Sequence, residues 1–289
     1  MKKILITGAS GLLGRYICNR LVSLGTEVYA ITRMVPANPL QGIRYYPIDL
    51  TCHWFDDDLP SEVDAVVHLA QSSKFRDFPE SALDVFKVNI ESTARLLDYA
   101  KRVKVKQFIY ASSGGVYGGG RNPFSESSNS FPSCRQLGYY FGSKLCGELL
   151  VNSYADIFST VVVRPFFIYG AGQNRGMLIP RLIDNIAAGK SINIKGENGI
   201  RINPVHAADA AEAIVSALSL TVSATFNIAG PEVLSIREIC EGIGKYIGKT
   251  PLFQLQVGAP DDLIADITSM SASLIAPQRR LLDMLVELA

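Results

Sequence analysis

KILITGASGLLG, residues 3–14, already points to one class of fold. Residues 3–7 are a short apolar run ended by glycine, the pattern of a buried strand. Gly8, Gly11 and Gly14 then open a helix running to about Leu24, and a second strand spans Glu27 to Thr32. Strand, glycine turn, helix and strand make the βαβ unit of dinucleotide-binding folds, in which backbone N–H groups at the helix N-terminus meet a pyrophosphate. The glycine spacing is G-x-x-G-x-x-G, and alone it also fits an ordinary tight turn. The strand before it and the helix after it supply the context that the cofactor reading needs.

The same reading extends along the chain. The end of the second strand is where a carboxylate would hold the adenosine ribose of NAD. Thr32 stands there, followed by Arg33. An arginine with no acid beside it can pair with a 2′-phosphate, which leans toward NADP(H); the alternative is NAD with a solvated Arg33. A third strand over 43–48 ends at Asp49-Leu50, placed to reach the adenine. Segment 63–70, VDAVVHLA, reads as a strand buried on both sides, with His68 a satisfied core histidine. A helix over 79–102 carries Asn89, and a strand over 107–112 leads into SSGGVYG, 112–118. Carboxyl ends of parallel strands face the ligand crevice, so Ser113 is in place to touch substrate. Residues 118–136 are rich in Gly, Ser, Asn and Pro and read as a lid or a binding rim. A helix over 137–157 and a strand over 160–164 follow. Beyond Pro165 come helices near 177–188, 208–219 and 235–247, and strands near 191–195 and 224–228.

The expected class is therefore α/β: a Rossmann-like, doubly wound parallel sheet with a smaller C-terminal substrate-binding lobe. The division falls at 1–167 and 168–289, with 203–228 returning to the first part. The length of 289 residues and 48% hydrophobic content permit one large core with a lobe attached. A net charge of +1 gives no attraction to nucleic acid. Five scattered cysteines, with no Cys-x-x-Cys and no histidine at ligand spacing, point to core-filling reduced thiols in a cytoplasmic protein and to no metal. Lys2-Lys3 before Ile4-Leu5-Ile6 is too short a run for a signal peptide, and no stretch suits a membrane span.

The chemistry is carried by LGYYFGSKLCGELL, residues 137–150. Tyr140 and Lys144 lie one turn apart on one helix face, about 6 Å from each other. An ammonium that close favours the phenolate and can pull a tyrosine down from its usual pKa of about 10, making it a general acid/base for a sugar or alcohol hydroxyl. Tyr139 is the rival, but Ser143, four residues on, brings no charge. Tyr-x-x-x-Lys by itself arises often by chance.

With Ser113, Tyr140 and Lys144 behind the glycine turn, the sequence resembles the extended short-chain dehydrogenase/reductase family, in its NAD(P)-dependent nucleotide-sugar epimerase/dehydratase branch. The matching pieces run in order: TGASGLLG (7–14), HLAQ (68–71), VNIESTARLL (88–97), SSGGVYG (112–118), YFGSK (140–144), RPFFIYGAGQ (164–173) and PVHAADAAEAI (204–214). The resemblance implies that Tyr140 is the acid/base and that Lys144 lowers its pKa and binds the nicotinamide ribose. Ser113 would hydrogen-bond the reacting oxygen. Gly8, Ser10, Gly11, Leu12, Leu13, Gly14, Asp49, Leu50, Leu69, Ala70, Gln71, Asn89 and Phe166 would line the NAD(P). Asn89 has a structural alternative, tying helix to strand. A nucleotide-sugar would lie against 164–206, with Phe167, Arg175 and Arg201 in contact. A homodimer through the Asn89 and tyrosine helices is also implied; Leu145, Leu149 and Leu150 would permit it as outer apolar positions, and fit a buried monomer helix equally well.

Departures narrow the activity. Sugar 4,6-dehydratases carry an Asp-Glu pair after the hydroxyl residue; Gly114 and Gly115 stand here, which disfavours elimination of water. Phe167 replaces an asparagine usual near the substrate diphosphate. Ile202 replaces a usual arginine, with Arg201 shifted by one. What remains is hydride chemistry at C4 of a nucleotide-activated sugar, as an epimerase that keeps NAD or as a 4-ketoreductase that consumes NADPH. The alternative of another class is a cofactor-sensing protein without catalysis.

Overall fold

The computed structural model describes residues 2–54, 56–130 and 137–288. Seven parallel strands form the central sheet: β1 (Lys3–Thr7), β2 (Glu27–Thr32), β3 (Ile43–Pro47), β4 (Ala65–His68), β5 (Gln107–Ala111), β6 (Ser159–Pro165) and, from late in the chain, Ala224–Ile228. Their spatial order is β3-β2-β1-β4-β5-β6 followed by that last strand, so the order reverses between β1 and β4. Alternation along each strand builds two cores. Ile4, Ile6, Val28, Ala30 and Val67 face one layer, while Leu5, Tyr29, Ile31 and Val66 face the other.

The first layer holds α1 (Leu12–Ser23), whose Ile17, Cys18 and Leu21 are buried against Ala210, Ala213 and Ile214 of the helix Ala207–Ala217. The second layer begins with α2 (Ala82–Phe86), passes through a π turn at Lys87–Glu91, and continues as α3 (Ser92–Arg102). The helix expected over 79–102 is thus three pieces. The wider turn sits where Asn89 is buried, an irregularity often found at functional sites. Beside α3 lies α4 (Gly138–Asn152), the tyrosine helix, which ends five residues earlier than expected.

After β6 come α5 (Leu178–Ala187), β7 (Ile192–Lys195), β8 (Arg201–Ile202), α6 (Ala207–Ala217), β9 (Ala224–Ile228), β10 (Leu234–Ser235), α7 (Ile236–Ile247), β11 (Phe253–Gln256) and α8 (Thr268–Ser273). Ile179, Ile183, Ile202, Ile239, Ile243, Leu281 and Leu285 make a third apolar cluster away from the sheet. A capping box between Ser235 and Glu238 starts α7, and left-handed Gly248 ends it. Strands β8, β10 and β11 carry no pattern that sequence periodicity could reveal: two are only two residues long, and all pair with distant segments. The described part of the loop after β5 is bridged to the C-terminal stretch at Gly120–Asp262 and Phe124–Ala265. Residues 131–136 of that loop, including Cys134, lie outside the described residues. Cys18 and Cys240 are buried as core filler, but Cys52 and Cys146 are exposed because their positions face outward. No helix among the described residues is long and apolar enough to cross a membrane.

Candidate active site

The crevice is built at the carboxyl ends of β1 and β4, which pair directly at Thr7 and His68. Gly8 has φ +71°, and a Cβ there would lie 2.9 Å from the Ala70 nitrogen. A Cβ on Gly14 would lie 2.2 Å from the Gly8 carbonyl. Glycine is therefore required for the turn to press against Leu69-Ala70 and for α1 to start so close to β1. Gly11 caps α1 without a side-chain hydrogen bond, and no acid stands in the first turn. The leading N–H groups of α1 are left to an anion, which fits the pyrophosphate of a dinucleotide. Ser10 and Gly11 are exposed at this mouth, with Leu12 and Leu13 half-buried behind them. At the end of β2, Thr32 is buried with its hydroxyl unpartnered among the described residues, beside exposed Arg33. Asp49 Oδ1 accepts from Thr51 N (2.9 Å) and Oγ1 (2.8 Å), which holds its carboxyl below the usual range, with Arg33 adding to the effect.

His68 is fully buried between Thr7 Oγ1 (2.6 Å) and Thr93 Oγ1 (2.9 Å), and burial pushes its pKa down to about 3. It is a neutral core histidine, as its apolar surroundings in the sequence indicated.

Tyr140 and Lys144 are both buried on the inner face of α4. The Lys144 ammonium donates to the Ala111 carbonyl (2.8 Å) and lies 5.3 Å from the centre of the Tyr110 ring. Burial pushes Lys144 down to about 7, against a restoring pull from Glu148. Burial also raises the Tyr140 phenol well above its usual range. Ser113, beside the phenol, opposes this rise. The net direction is upward, opposite to the lowering expected from Lys144, because desolvation of the phenolate dominates. Ser113 caps a 3₁₀ turn at Gly114–Tyr117 and sits beside the phenol. Tyr140 Oη donates to Gln71 Oε1 at 2.6 Å, and the Phe75 ring packs 4.9 Å from the phenol ring.

Other expected site residues have partners within the protein. Asn89 accepts from Ser72 N (2.9 Å) and donates to Ser143 Oγ (2.8 Å). Both ends of its amide are engaged in joining the exit of β4 to α4, which is the structural alternative. Arg175 is paired with Asp184 and donates to the Leu288 carbonyl (2.9 Å), so its guanidinium ties α5 to the C-terminal stretch. Arg201 is paired with Asp262 through Nε (2.8 Å) and Nη2 (2.7 Å). Phe166 is buried where a Gly114 side chain would be, 2.5 Å from that Cβ position, and the Phe141 ring lies 2.0 Å from a Cβ on Gly115. Phe167 is half-buried with φ +42°, a left-handed conformation unusual for a bulky residue.

One group escaped the sequence reading. Glu148 pairs with Arg164 through Nε (3.0 Å) and Nη2 (2.6 Å) and accepts from Ser112 Oγ. Arg164 Nη1 donates to Tyr117 Oη (2.6 Å), which in turn donates to Asn227 Oδ1 (2.8 Å). The signal was legible: Glu148 stands four residues after Lys144, on the same helix face. Among the described residues no cluster of His, Cys, Asp or Glu could hold a metal.

The model of the NAD dependent epimerase/dehydratase family matches residues 4–229. A dTDP-4-dehydro-6-deoxy-D-allose reductase from a Streptomyces species is 27% identical, over 93% of this chain and 90% of its own length. The crystal structure of UDP-glucuronic acid 4-epimerase from Bacillus cereus, in complex with UDP-glucuronic acid and NAD, superposes with a TM-score of 0.86 at 27% identity. It covers 99% of this chain and 97% of that one. A dTDP-D-glucose 4,6-dehydratase from Dictyostelium discoideum also matches, at 26% identity over 68% of this chain and 50% of its own length.

Proposed function

The chain belongs to the NAD dependent epimerase/dehydratase family, and from that premise we propose that it moves hydride at C4 of a nucleotide-activated sugar, with Tyr140 as acid/base and no loss of water. A nicotinamide cofactor supplies or receives the hydride when bound. Gly8, Gly11 and Gly14 with the start of α1 would hold its pyrophosphate, and Lys144 its nicotinamide ribose. Ser113 would steady the sugar oxygen as charge develops on it. The lobe of 168–289 would carry the nucleotide-sugar.

The observation that carries the reading is the packing around the phenol. Elimination needs an acid and a base where Gly114 and Gly115 stand, and the rings of Phe166 and Phe141 occupy the space their side chains would need. Tyr140 and Ser113 remain as the proton-handling pair. Within this reading, the acid-free end of β2 with Arg33 favours NADPH as a co-substrate for reduction of a 4-keto sugar. Epimerisation with retained NAD is the second reading, supported by the NAD in the B. cereus epimerase structure. A homodimer through the outer faces of α2 and α4 goes with either.

The test is Tyr140→Phe. Turnover of nucleotide-4-keto sugars or of UDP-hexoses should fall by about 10²–10⁴-fold, with cofactor affinity preserved. A full rate in that variant would reject the assignment. Nucleotide released from the denatured wild type separates the two readings: stoichiometric NAD means epimerase, and an empty protein preferring NADPH means reductase.

A further inference from the structure

The family resemblance implies that Gln71 lines the cofactor, and the structure places its side-chain carbonyl 2.6 Å from the Tyr140 hydroxyl. We propose that Gln71 is a positioning residue for the acid/base: it orients the Tyr140 O–H and holds its proton until a sugar oxygen displaces the amide. The inference rests on the reading of Tyr140 above.

A phenol has one proton to donate. The Tyr140 proton is directed to Gln71 Oε1. An amide oxygen offers a lone pair to the neutral phenol and only repulsion to the phenolate, so the contact keeps the acid form loaded. The backbone behind it is fixed. The adjacent Ser72 N–H donates to Asn89 Oδ1, Asn89 donates to Ser143 Oγ, and Ser143 donates to the Tyr140 carbonyl (2.7 Å). Gln71 and Tyr140 are thus joined through a closed circuit of hydrogen bonds. Above that anchored backbone the Gln71 side chain is exposed, whereas the phenol is buried. The amide therefore lies on the solvent side of the phenol, the side from which a sugar oxygen would have to come.

In reduction, hydride from the reduced nicotinamide cofactor forms the new C–H bond at C4 and the carbonyl π pair moves onto oxygen. That oxygen takes the proton as the Tyr140 O–H bond breaks, and solvent reprotonates the phenolate. Gln71 neither gives nor takes a proton. Its acceptor site is what the sugar oxygen replaces.

The charged and titratable groups around the phenol are Lys144 on α4, Tyr110 on β5 with His68 behind it, and Arg76, stacked 4.9 Å over the Phe75 ring. Gln71→Leu and Gln71→Glu leave all of them in place. In Gln71→Leu, the pH limb of kcat/KM that reports the phenol should move down by about one pH unit; in Gln71→Glu, an anionic acceptor should move it up. The tyrosine ¹³Cζ resonance lost in Tyr140→Phe should shift at neutral pH in the leucine variant, which a structural role alone would not cause. If Gln71→Leu does not fold, Gln71→Glu carries the test. An unmoved limb and an unmoved resonance in a folded Gln71 variant would overturn the role of Gln71, whereas an active Tyr140→Phe would overturn the underlying reading instead.

Discussion

Lys144 shows how far a single residue can be placed against its own solvation. Its ammonium is withdrawn from water with one carbonyl partner, and its pKa falls from the ordinary 10.5 to about 7. Between these values the unfolded chain binds more protons than the folded one, so this residue makes stability rise with pH from about 7 to 10.5. At neutral pH its burial opposes folding. Lys144→Met, close in length and uncharged, should therefore melt about 2–4 °C higher at pH 7 while losing activity. The gain should shrink as the pH approaches 10. Differential scanning calorimetry across that range checks it, and a lower melting temperature at pH 7 would mean that the Ala111 and Tyr110 contacts outweigh desolvation. The Tyr140–Lys144 spacing was legible because it is a property of one helix. The direction of the tyrosine shift was not, because burial depends on what packs over the helix.

At the scale of elements, α4 and β6 are locked by the Glu148–Arg164 pair. Both side chains are nearly out of solvent, and every guanidinium nitrogen has a partner. Removing one charge from such a pair strands the other, whereas replacing both with apolar groups of similar volume does not. Glu148→Gln should cost about 3–5 kcal/mol in urea unfolding, and the double change Glu148→Leu with Arg164→Met should recover most of the loss. A single-variant cost below about 1 kcal/mol would mean that water reaches the pair. The same scale explains the partial reading of 79–102: helical periodicity survives a π turn, so the segment was visible as helix while the break at Lys87–Glu91 was not.

For the whole molecule, the outer face of α4 presents Tyr139, Gly142, Cys146 and Leu149 without a charge among them. Leu83 and Phe86 of α2 are exposed as well, and Phe78 stacks on Tyr139 at 5.0 Å. Of the three leucines that fitted either an outer or a buried face, Leu149 is 69% exposed, while Leu145 and Leu150 are half-buried against the interior. The proposed dimer predicts that Leu149→Arg sediments as a 31.4 kDa monomer and still binds cofactor, while the wild type sediments at twice that mass. A monomeric wild type would remove the dimer from the account.

What the sequence determined by itself is what local chemistry dictates. Apolar runs and glycine spacing specify the βαβ start, and the four-residue step from Tyr140 to Lys144 puts both on one face. Gly114-Gly115 leaves no acid pair behind Ser113. What only the tertiary structure decided is which polar groups have which partners. Arg175 and Arg201, expected against the nucleotide-sugar, are paired with Asp184, nine residues on, and with Asp262, 61 residues on. Asn89 is engaged by Ser72 and Ser143, and Gln71 reaches the phenol from 69 residues away. Side-chain periodicity is a local property of the backbone. Hydrogen-bond partnership and desolvation depend on packing between segments that no local pattern relates.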